Sequence, residues 1–404
     1  MTRIASSWLV YRLTDSALLL GIVSFAGQIP AFFLAPIAGV WIDRWDRHRT
    51  LVWTQALSMI QSFALAALAL SGRINIWSLM ALVLMQGLIN AFDMPARQAF
   101  VVEMIEDRAD LGNAIALNSS MVNGARLLGP AIGGLVIAGV GEGYCFLIDG
   151  ISYIAVIISL LLMDVAPRPQ RGERKHVWEE LAEGWKYVTE SQPIRSILGM
   201  LALVSLIGMP YQVLMPIMAG NVLHGGPHTM GFLMGASGVG ALISAISLAL
   251  RKTVIGLGKM IAIASGVFGA GLILFGLSRH FWLSLPLMLL TGFGMMQQMA
   301  ASNTILQTIV EDDKRGRVMS FYTLAVLGIT PIGSLVAGAL ASKIGAPATL
   351  IAGGVLVLAG SAWFTARLPA IRRAVRPIYR QLGIIPEVAT AVQAASALQT
   401  PPES

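Results

Sequence analysis

Residues 111–140 read LGNAIALNSSMVNGARLLGPAIGGLVIAGV, an apolar stretch of 30 residues with one arginine, Arg126, near its middle. Because about 20 apolar residues cross a bilayer as a helix, this stretch predicts a membrane span. A charge at mid-membrane costs from about 2.5 to more than about 10 kcal/mol, and such residues are kept for pathways, gates or ion pairs. The glycines and the proline predict close helix packing and movement, as in a protein that carries a solute across a membrane.

The composition of the whole chain points the same way. Of its 404 residues, 56% are hydrophobic and 12% charged, and the mean hydropathy is +0.73. Soluble domains carry about 25% charged residues, so these values predict an all-α polytopic membrane protein. The single cysteine, Cys145, excludes an intrachain disulfide framework and, by itself, a zinc site.

The apolar stretches predict eleven complete spans and one half span. The complete spans are expected at 15–40, 51–71, 75–94, 111–140, 143–163, 196–221, 229–250, 258–278, 281–303, 318–342 and 346–366. Ile4–Leu13 is too short to cross, so the first helix is expected to be truncated. Either the true start lies upstream or this copy has lost part of the helix.

The basic residues predict the orientation in the membrane, because Lys and Arg accumulate in cytoplasmic loops. Of the 28 Lys and Arg residues, 22 fall in links on one side, and Arg12, Arg73, Arg279 and Lys343 fall on the other. This asymmetry predicts a bacterial cytoplasmic membrane protein with a cytoplasmic C-terminus. It also explains the pI near 9.8 without a nucleic-acid partner.

An internal repeat divides the chain into two six-helix bundles. A shift of 204 residues superimposes Gly112 on Gly316, Gly124 on Gly328, Gly129 on Gly333, Gly134 on Gly338 and Gly141 on Gly345. Parallel repeats of this kind predict a substrate site between the halves at mid-membrane. The predicted parts are a first bundle (1–163), a linker (164–195), a second bundle (196–366) and a basic tail (367–404).

Two segments outside the spans have recognisable patterns. In the linker, Trp178, Leu181, Trp185 and Val188 recur at helical spacing, which predicts an amphipathic helix on the membrane face, with docking to a partner as the alternative. The basic stretch Arg367–Arg380 is expected to meet anionic headgroups. Residues after Pro386 are expected to be mobile. We expect a monomer.

The first basic link, GVWIDRWDRHRTL at residues 39–51, resembles the signature G-x-x-x-D-R-x-x-R-R of the major facilitator superfamily. His48 replaces one arginine of the pattern, and Arg49 follows it. The resemblance implies a cytoplasmic latch, in which Asp43 accepts hydrogen bonds from a helix start near Arg317–Ser320. It also implies that Arg47 pairs with Asp93. The alternative is that these residues only anchor the topology. The predicted latch residues are Gly39, Asp43, Arg44, Arg47 and Asp93.

The fifth span resembles the antiporter motif of the same superfamily, with its core G-P-x-x-G-G. Small residues let helices approach closely, and proline bends a helix. The alternative is ordinary tight packing. The predicted helix-packing residues are Gly124, Gly129, Pro130, Gly133 and Gly134.

Two further runs resemble the drug-exporter branch that includes the enterobactin exporter and macrolide efflux proteins. They are WLVYRLTDS at residues 8–16 and NAFDMPARQAF at residues 90–100. Many proton-coupled drug antiporters carry an arginine three residues before Gln-Gly in the fourth span. Here Val83 stands at that place before Gln86, which excludes coupling through that arginine.

Coupling or substrate charge is assigned to Arg126 and Asp149, since intramembrane ionisable residues are usually functional. A helix-packing role for Asp149 is the alternative. Their depths differ by about 12 Å at about 1.5 Å per residue, so a direct ion pair is not expected. The polar residues predicted to line the cavity are Gln86, Asn90, Gln212, Gln297, Gln298 and Tyr322.

These features predict secondary active export of a small, amphipathic molecule, such as a drug or siderophore, by alternating access. The proton gradient is the expected energy source, with no cofactor and no metal, because the pair His224 and His228 lacks a third ligand. Uptake or facilitated diffusion is the nearest alternative, and a transport-dead sensor or scaffold is another. An enzyme is not expected, because no nucleophile-base set or phosphate loop is present.

Overall fold

The computed structural model describes residues 1–104, 110–163, 177–251 and 253–384. This part of the chain is all-helical, as predicted, and contains no strand. In lipid, a helix satisfies every internal backbone donor and acceptor within one segment, which is why apolar stretches of this length fold in this way.

Fifteen α-helices follow one another in these described ranges. They are α1 (Thr2–Thr14), α2 (Ala17–Arg44), α3 (Arg47–Leu70), α4 (Ile76–Glu103), α5 (Leu111–Val140), α6 (Glu142–Leu161), α7 (Val177–Glu190), α8 (Gln192–Leu203), α9 (Tyr211–Ile217), α10 (Pro227–Ala249), α11 (Leu257–Leu277), α12 (Phe281–Ile309), α13 (Asp312–Thr323), α14 (Thr330–Ile344) and α15 (Ala346–Gln381). Three π-helical turns, Val204–Gly208, Met218–Val222 and Leu324–Gly328, interrupt the seventh and eleventh predicted spans.

Nine segments in the described part of the chain are long and apolar enough to cross a membrane. In two of them, α8 continues through α9 to Val222, and α13 continues through α14 to Ile344. The helices α5 and α12 have 30 and 29 residues, which also suffices in length. The total of eleven complete spans stays a prediction. The helix α1 has 13 residues, about the half span that the sequence indicates.

The helices pack as two halves. In the first half, α2 packs on α4, and α3 packs on both α4 and α6. In the second half, α11 packs on α12 and α15, and α10 packs on α12. Two helix pairs join the halves extensively: α5 with α10, and α2 with α14.

The short turns between antiparallel helices define two faces of the molecule. We call the face with the α2–α3 turn and the end of α15 the basic face, and the face with the α1–α2 and α5–α6 turns the opposite face. Two turns at the opposite face contain glycines that are equivalent under the repeat. These glycines, Gly141 and Gly345, have φ of +87° and +84°, and each lies between the end of one helix and the start of the next. Glycine adopts this left-handed conformation without the steric cost of a Cβ.

The last helix extends well beyond the predicted span. Residues 346–366 were expected to cross the membrane, with a tail after them, but α15 continues as one helix to Gln381. The extension has a buried apolar stripe of Leu368, Ile371, Val375 and Tyr379, while its arginines are exposed. Packing of this stripe against the second half therefore makes the first part of the predicted tail a structured element. Residues 385–404 lie outside the described part.

Candidate functional site

Two glycine crossings join the halves near the opposite face. Where α5 crosses α10, a Cβ atom built on Gly134 would lie 2.7 Å from the Cα of Gly231 and 2.6 Å from the carbonyl oxygen of Pro227. Where α2 crosses α14, a Cβ atom built on Gly21 would lie 3.0 Å from the Cα of Gly338. Any side chain at these glycines would force the helices apart, since real Cβ atoms essentially never come this close to backbone.

The internal repeat relates the two crossings. Gly134 and Gly338 are equivalent under the shift of 204 residues. Each faces the first turn of its partner helix, where the nearest backbone oxygens belong to Pro227 and Ala17. Pro227 and Ala17 are the first residues of α10 and α2. The fifth span of each half thus meets the second span of the other half in the same way.

The other residues of the predicted helix-packing motif have different surroundings. Pro130 belongs to the first crossing, because a Cβ atom on Gly231 would lie 2.8 Å from its carbonyl oxygen. A Cβ atom on Gly133 would lie 3.6 Å from the Cα of Met1. Around Gly124 and Gly129, the described residues leave open space within 4 Å. Close contact therefore occurs at the end of the motif that lies near the opposite face.

A hydrogen-bonded group also bridges the halves at the opposite face. The Tyr11 hydroxyl donates to Oδ1 of Asn221 at 2.5 Å, and Nδ2 of Asn221 donates to Oδ1 of Asp15 at 2.9 Å. Asp15 follows α1 with φ of 46°, a left-handed conformation that is uncommon outside glycine. We call Tyr11, Asp15 and Asn221 the polar bridge. Sequence reasoning missed it, because Asn221 lies more than 200 residues from Tyr11 and Asp15.

The carboxylate of Asp93 is enclosed at the basic-face ends of α3 and α4. Its side chain accepts hydrogen bonds from Thr54 Oγ1 at 2.9 Å, Gln55 Nε2 at 2.6 Å and Arg97 Nη2 at 2.6 Å. Only 5% of Asp93 is exposed, so these donors replace the water that an ionised carboxylate needs. Its pairing with Arg47, which the superfamily resemblance implies, stays a prediction.

The other predicted latch residues and Arg126 fall outside what can be described at side-chain level. Gly39, Asp43 and Arg44 belong to the last turns of α2, and Arg126 to the middle of α5. The surroundings of these four residues lie outside the described part of the structure. Their proposed roles therefore rest on the sequence alone.

A polar stripe runs along the buried side of α3. Gln86 on α4 donates to Ser58 Oγ at 3.2 Å and to Asn90 Oδ1 at 3.1 Å. Near the opposite face, Ser62 donates to Asp149 Oδ2 at 3.0 Å. Asp149 therefore sits in the contact between α3 and α6. The stripe consists of Thr54, Gln55, Ser58, Gln61 and Ser62.

The predicted cavity residues of the second half differ in their environments. Gln297 is 2% exposed, accepts from Ser244 at 2.7 Å and donates to the sulfur of Met260. Its side chain thus joins α10, α11 and α12, and its place in the cavity stays a prediction. Tyr322 donates to the carbonyl of Met299 at 3.3 Å, and Gln212 is half-buried on α9.

Two of the predicted cavity residues have buried acceptors without a partner. Within the described residues, neither Oε1 of Gln86 nor Oε1 of Gln298 accepts a hydrogen bond. A buried polar atom left without a partner costs free energy, so such atoms mark places where a water or a ligand can donate. The two glutamines belong to the fourth and tenth predicted spans, one in each half.

The linker helix α7 docks on the second half. Glu183 forms an ion pair with Arg317 at 2.8 Å, and Trp185 lies 5.9 Å from Phe321 between ring centroids. Gly184 permits this approach, because a Cβ atom there would lie 2.9 Å from the Phe321 ring. The predicted amphipathic helix therefore packs on α13, within the chain itself. Its predicted residues Trp178 and Leu181 lie outside the side chains that can be described.

A cation also packs on α7. Nζ of Lys314 lies 4.9 Å from the centre of the Tyr187 ring, and the same ammonium pairs with Glu311 at 2.6 Å. Burial, followed by the Glu311 carboxylate, raises the pKa of Tyr187. The phenol therefore stays neutral at physiological pH and presents its ring face to the cation.

Known proteins with similar sequences are membrane transporters. The chain is 28% identical to the staphyloferrin A transporter of Staphylococcus aureus, over 82% of this chain and 83% of that protein. It is 28% identical to the multidrug efflux pump Tap of Mycolicibacterium fortuitum, over 93% of this chain and 94% of that pump. It is 21% identical to macrolide efflux protein A of Streptococcus pyogenes, over 85% of this chain and 86% of that protein.

Solved transporter structures share the fold. The nucleoside transporter NupG superimposes with a TM-score of 0.71 at 11% identity, covering 91% of this chain and 94% of NupG. A bacterial homolog of the human lysosomal transporter Spinster, in an inward-facing and occupied conformation, superimposes with a TM-score of 0.67 at 14% identity. The superposition covers 92% of this chain and 93% of that homolog. These likenesses establish the major facilitator fold.

The family assignment rests on nearly the whole chain. The sequence profile described as transmembrane secretion effector matches residues 1–396. This agrees with the predicted superfamily and with its drug-exporter branch, to which the efflux relatives also point. The chain is therefore a multi-pass membrane transporter that belongs to the transmembrane secretion effector family of the major facilitator superfamily.

Proposed function

We propose that the protein exports a small amphipathic molecule across the bacterial cytoplasmic membrane by alternating access, driven by protons. The paired glycine crossings are the observation that supports this most directly. They hold the halves together near one face through backbone contacts that no side chain obstructs. Helices that meet through glycine can rock without repacking large side chains.

The proposal takes the basic face as the cytoplasmic one, because that face carries most of the Lys and Arg residues. On this assignment, the crossings and the polar bridge close the outer side. The conformation described here would then be the one closed to the outside, as expected of the state in which an exporter takes its substrate from the cytoplasm.

The substrate would bind at mid-membrane between the halves. The unpartnered amide oxygens of Gln86 and Gln298 favour a molecule with hydrogen-bond donors on an otherwise apolar body. The names of the relatives, which include a siderophore transporter, a multidrug pump and a macrolide efflux protein, are compatible with this class.

Asp149 is the proposed proton carrier and Arg126 the proposed partner charge for coupling or substrate. Asp149 accepts a hydrogen bond from the Ser62 hydroxyl and is half-buried in the α3–α6 contact. An intramembrane carboxylate of this kind is suited to a proton relay. The same contact is also compatible with a helix-packing role for Asp149, so transport measurements must distinguish the two roles.

The test is transport in membrane vesicles of both orientations with an imposed pH gradient. Probes are a macrolide, a cationic dye and an iron-free siderophore. We expect inverted, acid-loaded vesicles to accumulate at least one probe, and a protonophore to abolish this. Accumulation only in right-side-out vesicles would overturn export, and accumulation insensitive to the protonophore would overturn proton coupling.

Variants separate coupling from packing. Asp149→Asn keeps the acceptor for Ser62 but cannot carry a proton, so we expect it to lose gradient-driven accumulation while counterflow exchange of substrate continues. Arg126→Ala tests the partner charge. The matched control is Asp313→Asn at an exposed site. If Asp149→Asn transports like the control, the coupling assignment is wrong.

A further inference from the structure

A groove opens between α11 and α15 at the basic face. It has a volume of about 530 Å³ and lies on the side of the second half formed by these two helices. Its lining residues are Lys259, Ala262, Ile263, Gly266, Ser361, Thr365, Leu368, Pro369 and Arg372.

The groove runs along the contact between the two helices, which stay in contact toward the basic face, where the Ser361 hydroxyl donates to the carbonyl oxygen of Ala262 at 2.7 Å. A Cβ atom on Gly269 would lie 2.8 Å from the carbonyl oxygen of Gly354, so the backbones touch there. Nearer the basic face, Gly266 leaves space, since a Cβ atom there would meet only Ser361 Oγ at 3.4 Å. The part of α15 that borders the groove, from Ser361 to Arg372, is about 16 Å long at about 1.5 Å per residue.

The chemistry of the lining changes along the groove. Lys259 and Arg372 stand at the end toward the basic face, one on each helix, and both are exposed. Farther into the membrane the groove is lined by Ile263, which is 56% exposed, and Gly266 on α11, and by the hydroxyl-bearing Thr365 and Ser361 on α15. Among the residues that the structure describes, neither cation forms an ion pair or a hydrogen bond, whereas Arg251 nearby is held by the backbone oxygens of Thr253 and Ile255.

We propose that this groove binds an anionic phospholipid. The phosphate lies between Lys259 and Arg372, and one acyl chain follows the exposed Ile263 and the surface left open at Gly266. The charge of the two cations complements the headgroup, and the exposed isoleucine contacts the chain. Basic pockets between membrane helices on the cytoplasmic side bind anionic headgroups in this manner. The site is separate from the proposed transport path and does not depend on it.

The experiment measures lipid binding to the full chain purified in detergent, by native mass spectrometry and by the thermal shift on lipid addition. The probes are phosphatidylglycerol, phosphatidylcholine with the same acyl chains, and inorganic phosphate. We expect phosphatidylglycerol alone to bind at a fixed stoichiometry and to raise the melting temperature. A response to inorganic phosphate as large as that to phosphatidylglycerol would show an anion site only and overturn the proposal. Equal responses to the two lipids would overturn the headgroup assignment.

Two variants locate the site. Lys259→Ala with Arg372→Ala should weaken phosphatidylglycerol binding about 30-fold, because two cations near the membrane surface are removed. Its matched control is Arg373→Ala with Arg376→Ala, which removes two exposed cations of α15 outside the groove. Gly266→Leu keeps all charges but fills the groove, and should also weaken binding. If the control pair weakens binding as much as the groove pair, the lipid is held by diffuse charge and the proposal fails.

Discussion

Gly134 and Gly231 lie backbone to backbone where α5 crosses α10, and the contact leaves no room for a Cβ atom on either residue. Gly21 and Gly338 repeat the arrangement between α2 and α14. Both crossings join the two halves near the same face, so the halves are held together by four glycines that belong to a duplicated pattern.

We expect Gly134→Val to disrupt the closure of the opposite face. Over-packing costs about 1–3 kcal/mol, which corresponds to a population shift of roughly 5-fold to 150-fold. A cysteine placed at Ala219, which is fully buried on the same side, should then react faster with a membrane-impermeant maleimide. The reaction is measured in a Cys145→Ala background. Gly139→Val is the control, because Gly139 has open space around it among the described residues. Equal labelling of the two variants would contradict the role of the crossing.

We expect Tyr11→Phe to loosen the polar bridge without affecting the fold. The change removes the hydrogen bond to Asn221, worth about 0.5–1.5 kcal/mol, so labelling of the same cysteine should rise about 2-fold to 10-fold. Tyr144→Phe, at an exposed tyrosine of α6, is the matched control. No difference between the two phenylalanine variants would show that the bridge does not hold the halves together.

We expect Gly184→Val to undock α7 from α13, and Glu183→Gln to have a much smaller effect. A valine at 184 meets the Phe321 ring and the Arg317 stem, whereas the Glu183–Arg317 pair has one exposed and one half-buried partner and is worth about 1 kcal/mol. The measurement is the rate of limited proteolysis in the linker. Gly316→Val controls for adding a β-branched residue to a helix, as open space surrounds Gly316 among the described residues. Faster cleavage in Glu183→Gln than in Gly184→Val would contradict the packing account.

We expect Asp93→Leu to lower the melting temperature, because Gln55 Nε2 would lose its acceptor in a buried site, whereas Thr54 could still donate to the carbonyl of Leu51. An unsatisfied buried donor costs about 1–3 kcal/mol, and Asp93→Asn should cost less because its side-chain oxygen still accepts. Asp313→Asn serves as the exposed control. The expectation is wrong if Asp93→Leu and Asp313→Asn have the same melting temperature.

The sequence predicts the architecture because the membrane imposes simple rules. Long apolar stretches fold as helices, basic links indicate the orientation, and the glycines of the repeat reveal the duplication. The shift of 204 residues also pairs Gly134 with Gly338, two of the four glycines at the crossings. Their partners, Gly21 and Gly231, are not equivalent to each other under this shift, which places Gly21 on Gly225 and Gly27 on Gly231, so the repeat does not identify them as partners.

Long-range side-chain contacts could not be predicted. The polar bridge depends on the depth and rotation of α1 relative to the turn Met218–Val222, and periodicity along one chain does not determine either. Gln297 and Gln298 are neighbours on α12, so only the packed structure distinguishes the one that joins helices from the one with an unpartnered oxygen. The length of α15 was predictable, because Leu368, Ile371, Val375 and Tyr379 continue a helical period beyond the span.

The two glycine crossings have a mechanical consequence. A rigid body that touches another at two points, and keeps both contacts, retains only rotation about the line through those points. While both contacts persist, the line through the two crossings would be the axis for any movement that opens or closes the basic face, with a single degree of freedom. In the proposed alternating access, opening of the opposite face would require both crossings to separate. Breaking one crossing adds two further rotations. A single altered glycine would then change the kind of motion available to the halves, in addition to its rate.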